Sequence, residues 1–358
     1  MKTWIKICVF MIISQTTFGQ GKKVVWEWKQ LPAIPDAIGF AGAYSGIVEG
    51  QLIVLGGANF PDGKAPWDGG KKVWTDQVFM LKDETQQNWI KGTPLPQTMG
   101  YGASISYENK MYMAGGSNEL EHLNEVYEVS WNFEINNLTY KLINHLPKPI
   151  ANCASILIGD YWYIAGGIES PSSKEASSIC WKLNMKNPEA GWEDCAALPG
   201  KGRMLAILSE NGKQPFILSG VALINGQREY LTDAYILKGE LWEKVTDLPQ
   251  SVAAASSPGY YDTVTNSFFV FGGDDGELAN ANLKENHPGF SNKILQFCTE
   301  KREWFNNPIP EGNSSSELKF PVTTNSTIWN GKLVIPMGEI RPGIRTPQVL
   351  IGNIKRER

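Results

Sequence analysis

The chain has 358 residues, of which 42% are hydrophobic and 20% are charged, a composition typical of a globular protein with a sizeable core. Its formal net charge is −4, which argues against nucleic acid or an anionic membrane surface as a partner, because both require a basic face. The 13 Trp, 36 Gly and 21 Pro favour many short strands joined by turns.

The N-terminal segment has the pattern of a signal peptide. Lys2 and Lys6 precede the apolar run 7–13, and small residues suited to cleavage end at Gly19. The sequence therefore predicts a signal peptide over residues 1–19, a single domain over residues 20–358 and export to the periplasm. Cys8 lies inside the apolar run rather than after a cleavage site, so no lipid anchor is predicted. No later stretch reaches eighteen apolar residues, so no membrane anchor is predicted either.

Two signals recur along the rest of the chain. The first is an apolar strand that ends in Gly or Gly-Gly, and it closes at Gly57, Gly116, Gly167, Gly220, Gly273 and Gly338. The second is an aromatic residue followed by Leu-Pro or Ile-Pro, at Trp26 or Trp28, then at Trp89, Tyr140, Trp192, Trp242 and Trp304. The spacing of 51 to 65 residues is that of a repeated structural unit.

This paired repeat resembles the kelch repeat, in which each unit is one four-stranded blade. Six units predict an all-β fold, a six-bladed kelch-type β-propeller. After Ile351 the last unit has no Trp strand of its own. We therefore expect the N-terminal segment around Trp26 and Trp28 to supply that strand and to close the ring without open edges.

Four cysteines follow the predicted signal peptide, at 153, 180, 195 and 298. A disulfide between Cys180 and Cys195 is compatible with an oxidising compartment. Buried free thiols are the alternative, and they are the favoured interpretation.

Loop length indicates which face of the ring binds a ligand, because long loops usually bind whereas tight turns only connect. The longest loops after a Gly signal are 58–73 in the first blade and 274–291 in the fifth. In a closed ring of six, both blades neighbour the sixth. The candidate residues for the wall of this pocket are Asn59, Trp67, Lys71 or Lys72, Asp274, Asp275, Asn282 and His287.

The sixth blade carries the densest charged segment, Gly338–Pro347, in which Glu339, Arg341 and Arg345 surround a Pro-Gly turn. A look-alike at Ile224–Glu229 has a similar composition. It lacks the Pro-Gly turn and has Leu231 where the pattern requires Arg, so the C-terminal segment is preferred.

A family resemblance extends this interpretation. Gly39–Gly46, followed by Gly56–Pro61, resembles the bacterial sialic acid mutarotases, also called N-acetylneuraminate epimerases, which are exported six-bladed kelch propellers. Gly338–Thr346 is similar to the catalytic segment of that family, although there it precedes the Gly-Phe-Ala-Gly blade. A closed ring accounts for the difference, because the last blade lies beside the first. The chain therefore resembles a cyclically permuted branch of the family.

The resemblance implies interconversion of the α and β anomers of a sialic acid, without a cofactor. Glu339 would be the general base and acid at the anomeric hydroxyl, and Arg345 would bind the substrate carboxylate through its fork of donors. Arg341 and Arg203 are further candidates for substrate binding. Arg341 could instead point outward, and Arg203 could instead cap a strand. The alternative for Glu339 and Arg345 is a surface ion pair on a turn, worth only about 0–1 kcal/mol.

Other functions fit the sequence less well. Only three His are present and no Cys or His pair has metal-ligand spacing, which disfavours a metal enzyme, including the copper radical oxidases built on kelch propellers. A sialidase should show repeated Ser-x-Asp-x-Gly-x-Thr-Trp boxes, and none is found. The expected partner is thus small-molecule sialic acid, without metal or cofactor. The strongest alternative is a non-catalytic kelch module that binds a sugar or a protein.

Overall fold

The computed structural model describes residues 24–307 and 318–356, which form six four-stranded antiparallel sheets. The predicted signal peptide, residues 1–19, lies outside the described residues. Within these described ranges, three short 3-10 helices occur in loops, at Pro66–Asp68, Pro188–Ala190 and Lys284–Asn286. No helix in the described residues has the length and apolar character needed to cross a membrane.

Strand β1 (Trp26–Leu31) begins the described chain and belongs to the last sheet. The sheet of the first blade consists of β2 (Tyr44–Val48), β3 (Gln51–Leu55), β6 (Val78–Leu81) and β7 (Ile90–Lys91). Between β3 and β6 the chain forms a short hairpin of β4 (Ala58–Asn59) and β5 (Val73–Trp74). The strands of the second blade are β8 (Ala103–Tyr107), β9 (Lys110–Ser117), β10 (His122–Asn132) and β11 (Asn137–His145). The strands of the third are β12 (Ala154–Ile158), β13 (Tyr161–Ala165), β14 (Cys180–Asn184) and β15 (Glu193–Asp194).

The sheet of the fourth blade consists of β16 (Ile207–Glu210), β17 (Pro215–Leu218), β20 (Ala234–Lys238) and β21 (Leu241–Lys244). This blade also carries an inserted hairpin of β18 (Val221–Ile224) and β19 (Gln227–Tyr230). The strands of the fifth are β22 (Tyr260–Asp262), β23 (Ser267–Phe271), β24 (Ile294–Cys298) and β25 (Glu303–Asn307). The sheet of the sixth blade consists of β26 (Thr327–Trp329), β27 (Lys332–Ile335), β30 (Val349–Ile354) and β1. Between β27 and β30 the chain forms a hairpin of β28 (Gly338–Arg341) and β29 (Ile344–Thr346).

The ring closes as the sequence predicts. Strand β1 pairs antiparallel with β30 from Trp26↔Ile354 to Leu31↔Val349 and forms the outer edge of the last blade. Both Trp26 and Trp28 are buried, and they pack against aromatic rings of the fifth blade and of the loop that precedes β26. The expected all-β, six-bladed propeller is therefore confirmed.

A ring of six backbone hydrogen bonds joins the blades at the centre of the described structure. Each donor occupies the same place in its blade, shortly before the innermost strand, and has a left-handed backbone conformation. Each N–H donates to the carbonyl of its counterpart in the preceding blade at 2.7–2.8 Å, through Gly42, Tyr101, Asn152, Leu205, Ala254 and Thr323, with Gly42 donating to Thr323. These residues place the blade repeats in register around one axis.

In several blades the repeated aromatic residue joins the outer strand to the preceding blade through a hydrogen bond. The indole of Trp89 donates to the carbonyl of Pro32 at 2.8 Å, and Trp242 and Trp304 make the corresponding bonds to Ala196 and Thr246, each at 2.9 Å. The Leu-Pro signal marks the segment that supplies these acceptors. Both sequence signals therefore record contacts between blades.

The repeated glycines allow close approach of the backbone. Gly116 has φ +102°, and a Cβ at this position would lie 2.2 Å from the hydroxyl oxygen of Tyr44. Its N–H donates to the carbonyl of Ile150 at 2.7 Å. A side chain here would push neighbouring blades apart, which explains why the strand ends in glycine.

The hydrophobic core is divided among the interfaces between blades. Six clusters in the described chain each combine side chains from two neighbouring blades, and the cluster between the last and first blades includes Trp329, Leu52 and Phe79. Cys180, at the start of β14, and Cys195, directly after β15, are neighbouring free thiols in the third blade. Their side chains are hydrogen-bonded, and this contact is the main reason why the pKa of the Cys180 thiol is raised.

Candidate active site

A cavity of about 700 Å³ opens on the face that carries the loops after the Gly signals. It is lined by these loops and by the segments that enter the innermost strands. These two sets of connections therefore lie on the same face of the ring. The volume lies within the range of roughly 300–1,000 Å³ that is usual for small-molecule sites.

The hairpin β28–β29 places Glu339 beside Arg345 on the cavity wall. Two backbone bonds between Glu339 and Val322, of 2.9 and 3.0 Å, fix the base of the hairpin to the loop that enters β26. The N–H of Gly343 donates to Oε1 of Glu339 at 2.6 Å. The Pro-Gly turn therefore orients the carboxylate from within the same segment.

Arg345 is almost fully buried beside Glu339 and the ring of Phe60. Its side chain is 5% exposed, its Nη1 lies 3.3 Å from Oε1 of Glu339, and its Cζ lies 4.8 Å from the ring centroid of Phe60. Neither Nε nor Nη1 has a hydrogen-bond acceptor among the described residues. Because an unsatisfied buried donor is costly, this guanidinium favours an anionic group at the cavity wall. A 5% exposed guanidinium also differs from the solvated ion pair that was the alternative for this segment.

The two long loops flank this hairpin. A Cβ at Gly343 would lie 2.6 Å from Cδ of Pro66, which shows how closely loop 58–73 covers the turn. On the other side, Nη1 of Arg341 donates to the carbonyl of Glu285 in loop 274–291 at 2.9 Å. The prediction that the first and fifth blades wall the sixth is therefore confirmed.

A further part of the cavity wall comes from the fourth and fifth blades. The hydroxyl of Tyr230 donates to Oδ2 of Asp274 at 2.8 Å, and Arg228 lines the cavity beside them. Burial, followed by the charge of Asp274, raises the pKa of Tyr230 to about 12. Asp274 and Glu339 are also equivalent in the repeat. Each follows the Gly signal of its blade and bridges to the loop that enters the innermost strand of the same blade, at Ala253 and Val322 respectively.

The predicted site residues fall into two groups. Glu339, Arg345, Asp274 and His287 line the cavity, together with Trp67, Lys72 and Asn282. His287 uses Nδ1 to accept a bond from the N–H of Gly289 at 3.1 Å. Asp275 lies in an adjoining depression, and Lys71 is exposed.

Three residues predicted to contact the substrate lie outside the cavity lining. Asn59 is buried in β4, and Arg341 is half-exposed and bound to the neighbouring loop. Arg203 is fully buried, and its guanidinium donates to both carboxylate oxygens of Asp233, at 2.7 and 3.0 Å, and to the carbonyl of Ser219 at 3.1 Å. None of the three lines the cavity, and Arg203 has the structural role that was its alternative.

Sequence reasoning missed several cavity residues, notably Tyr101, Asn152, Arg228 and Tyr230. Tyr101 and Asn152 belong to the central hydrogen-bonded ring, so the register of the repeat could have identified them. Arg228 belongs to the look-alike segment and Tyr230 directly follows it, and both residues lie in β19 of the hairpin β18–β19. That hairpin occupies the same place in the fourth blade as β28–β29 in the sixth, which explains the similarity in composition.

Tyr101 connects the central ring with the charged pair. Burial raises the pKa of its hydroxyl, Arg345 lowers it and Glu339 raises it. Its ring contacts Lys72, whose Nζ lies 4.3 Å from the ring centroid. The described residues contain no group of three or more His, Cys, Asp or Glu arranged to hold a metal ion.

The Gly39–Gly42 segment packs against the hairpin from the opposite end of the chain. A Cβ at Gly39 would lie 2.3 Å from the carbonyl oxygen of Thr346, next to Arg345. The N–H of Ile34 donates to the carbonyl of Pro347 at 2.9 Å. The two sequence motifs, about 300 positions apart, therefore form one packed unit.

We expect Gly39→Ala to destabilise the protein and to displace β29. Its φ of +77° costs an L-residue about 1–2 kcal/mol, and the contact with Thr346 adds to that cost. Gly50→Ala is a matched control, because Gly50 has φ +75° and nothing within 4 Å of the added carbon. Urea unfolding should show the larger loss for Gly39→Ala. Equal losses would mean that the packing against Thr346 contributes nothing.

Comparison with known proteins supports the resemblance found in the sequence. Residues 12–138 match the family model described as N-acetylneuraminate epimerase. The chain is 36% identical over 106 residues to the N-acetylneuraminate epimerase of Haemophilus influenzae strain PittEE, and 37% identical over 108 residues to that of Salmonella enteritidis PT4. These alignments cover 26% and 27% of this chain and only 28% and 27% of the relatives.

The fold is also found among solved structures. The structure of YjhT superposes with a TM-score of 0.65 at 15% identity, covering 91% of this chain and 99% of that one. At this identity the similarity shows the propeller fold alone. The family resemblance expected from the sequence is confirmed over residues 12–138, which include the Gly39–Gly46 motif but not the hairpin β28–β29.

Proposed function

We propose that this chain interconverts the α and β anomers of N-acetylneuraminic acid, as the name of the family that its first third resembles suggests. The observation that carries the proposal is the pairing of Glu339 with an almost fully buried Arg345 on the wall of the central cavity. Both residues lie in the segment that resembles the catalytic segment of that family.

The chemistry requires a proton acceptor close to a site for a carboxylate. The substrate carboxylate is attached to the anomeric carbon, and the Arg345 guanidinium offers donors that match it. With the substrate carboxylate bound to Arg345, the carboxylate of Glu339 would lie next to the anomeric hydroxyl. Removing its proton opens the ring to a keto acid, rotation about the adjacent carbon–carbon bond turns the carbonyl, and closure on the other face gives the second anomer.

The position of the hairpin supports a cyclic permutation of the family order. The segment Gly338–Pro347 comes last in this chain, yet it packs against the Gly39–Gly42 loop. We propose that the same circular arrangement of blades has been opened at a different loop. We further propose that residues 1–19 direct export, so that the enzyme acts on sialic acid outside the cytoplasm.

The direct test is the relaxation of freshly released α-sialic acid, followed by proton NMR. Wild-type protein should speed this relaxation above the spontaneous rate. Binding of the sugar without acceleration would contradict an enzyme and would support the non-catalytic module.

Replacing Arg345 tests the carboxylate contact. We expect Arg345→Ala to raise KM by about ten- to a hundredfold, because hydrogen bonds to charged groups contribute about 1.5–3 kcal/mol. Arg345→Lys should recover only part of this loss, since an ammonium lacks the fork of donors. Arg302→Ala, at an exposed turn on the opposite face, is the control and should leave KM unchanged. An unchanged KM for Arg345→Ala would show that the carboxylate binds elsewhere.

A further inference from the structure

Lys72 occupies a defined position on the same cavity wall as Glu339 and Arg345. Its Nζ lies 4.4 Å from the ring centroid of Trp74 and 4.3 Å from that of Tyr101. Within residues 24–307 and 318–356 this ammonium makes these two cation–π contacts but no ion pair and no hydrogen bond. The two rings hold the side chain in place and leave its protons free to act on a ligand.

The surroundings of Lys72 lower its pKa toward neutral pH. Burial, followed by the charge of Arg345, lowers the pKa of Lys72 to about 8, whereas the carboxylate of Glu339 opposes this shift. The other titratable groups that face it are Tyr101, from the loop before β8, and His122 of β10. The pKa of His122 is itself lowered, mainly by burial, and Lys72 contributes to that shift.

Opening a cyclic sialic acid requires two proton transfers, and Glu339 accounts for one of them. When the anomeric hydroxyl loses its proton, the bond from the anomeric carbon to the ring oxygen breaks, and the ring oxygen leaves with the electron pair. An oxygen that leaves in this way needs a proton donor. A donor is most effective when its pKa lies near the operating pH.

We propose that Lys72 is the general acid that protonates the ring oxygen, an assignment that rests on the proposed mutarotase function. On opening, Glu339 takes the proton of the anomeric hydroxyl and Lys72 gives a proton to the ring oxygen, leaving a neutral acid, a neutral amine and the open keto form. After rotation, the freed hydroxyl attacks the other face of the carbonyl and returns its proton to Lys72. Glu339 protonates the new anomeric oxygen, so both groups end in their starting states.

The test compares Lys72→Arg and Lys72→Met with wild type, and Lys71→Met serves as the control because Lys71 is exposed. In wild type, kcat/KM should fall as the pH rises through about 8, as the ammonium is lost. Both Lys72 variants should lose at least about tenfold in kcat at neutral pH. The fall near pH 8 should disappear in Lys72→Arg, because a guanidinium stays protonated. Lys71→Met should keep the wild-type rate and profile.

A second readout does not depend on activity. The pH dependence of acylation at Lys72, read by mass spectrometry, should give a midpoint near 8. The midpoint should move lower in Glu339→Gln, because the carboxylate that raises the pKa of Lys72 is removed. A midpoint that is still well below that of an ordinary lysine would also show that the Glu339→Gln variant folds with Lys72 in its site.

The possible results separate the two proposals. If wild type does not accelerate mutarotation, the proposed function fails. If wild type is active and Lys72→Arg keeps both its rate and its fall near pH 8, only the assignment of Lys72 is overturned. A Lys72→Met variant with a raised KM and an unchanged kcat would likewise overturn it, since Lys72 would then only bind the substrate carboxylate.

Discussion

Replacing Glu339 by Gln is expected to slow enzyme-dependent mutarotation of N-acetylneuraminic acid by about 100-fold or more, the usual minimum contribution of a positioned acid–base group. The amide keeps the size of the side chain and an acceptor for the N–H of Gly343, but it cannot take a proton. Binding of the sugar should therefore persist while kcat falls. Saturation kinetics followed by proton NMR measure both quantities.

The matched control for this substitution is Glu229→Gln. Glu229 lies on the hairpin β18–β19, which has the same place in the fourth blade, and its carboxylate is exposed and paired with Lys201. Its loss should leave the rate unchanged. A Glu339→Gln variant as fast as wild type would disprove the catalytic assignment, and equal losses in both variants would mean that the effect is not specific to the site.

Replacing Trp26 by Ala is expected to lower the free energy of unfolding by about 3–5 kcal/mol, as is usual for a fully buried Trp. Trp26 is 0% exposed and packs edge-on against Tyr260, Phe269 and Phe271 of the fifth blade. It lies in β1, the strand that closes the ring against β30. The loss should appear as a lower urea midpoint.

Lys29→Ala is the control on the same strand, because Lys29 is exposed and pairs with Ile351 through its backbone. A surface substitution of this kind usually changes stability by no more than about 0.5 kcal/mol. If the two variants shifted the urea midpoint equally, the buried contacts of β1 would not be what closes the ring.

Much of the fold could be predicted because the repeat is local. Each Gly signal marks a close backbone approach, and each outer-strand aromatic marks a contact with the preceding blade, as at Gly116 and Trp89. Six such units leave the last blade one strand short, and β1 supplies that strand. The closed ring then placed the two long loops beside the sixth blade without any knowledge of their conformation.

The site was predicted less completely, since the direction of a side chain in a long loop depends on the path of the whole loop. Lys72 and Asn59 come from the same loop, yet Lys72 reaches the cavity whereas Asn59 is buried in the short hairpin β4–β5. Arg203 lies on the expected face, but Asp233 holds its guanidinium inside the blade. Partners distant in sequence decided each of these cases.

The look-alike segment illustrates the same limit. Its composition resembles that of the hairpin β28–β29. It differs because it lacks a Pro-Gly turn and an Arg before Thr232. The structure shows that it is the equivalent hairpin of another blade, and that Arg228 and Tyr230 face the same cavity. Symmetry of the ring, rather than resemblance of motifs, brings the two hairpins to one site.

The sequence by itself determined the number of blades, the closing strand and the pairing of Glu339 with Arg345, because each is encoded over a few residues or by a repeated pattern. The tertiary structure alone decided that Lys72 lies between Trp74 and Tyr101, that Tyr230 of the fourth blade binds Asp274 of the fifth, and that Arg203 is internal. The physical reason is that burial, ion pairing and ring contacts depend on the distances between blades. Those distances exist only once the ring has closed.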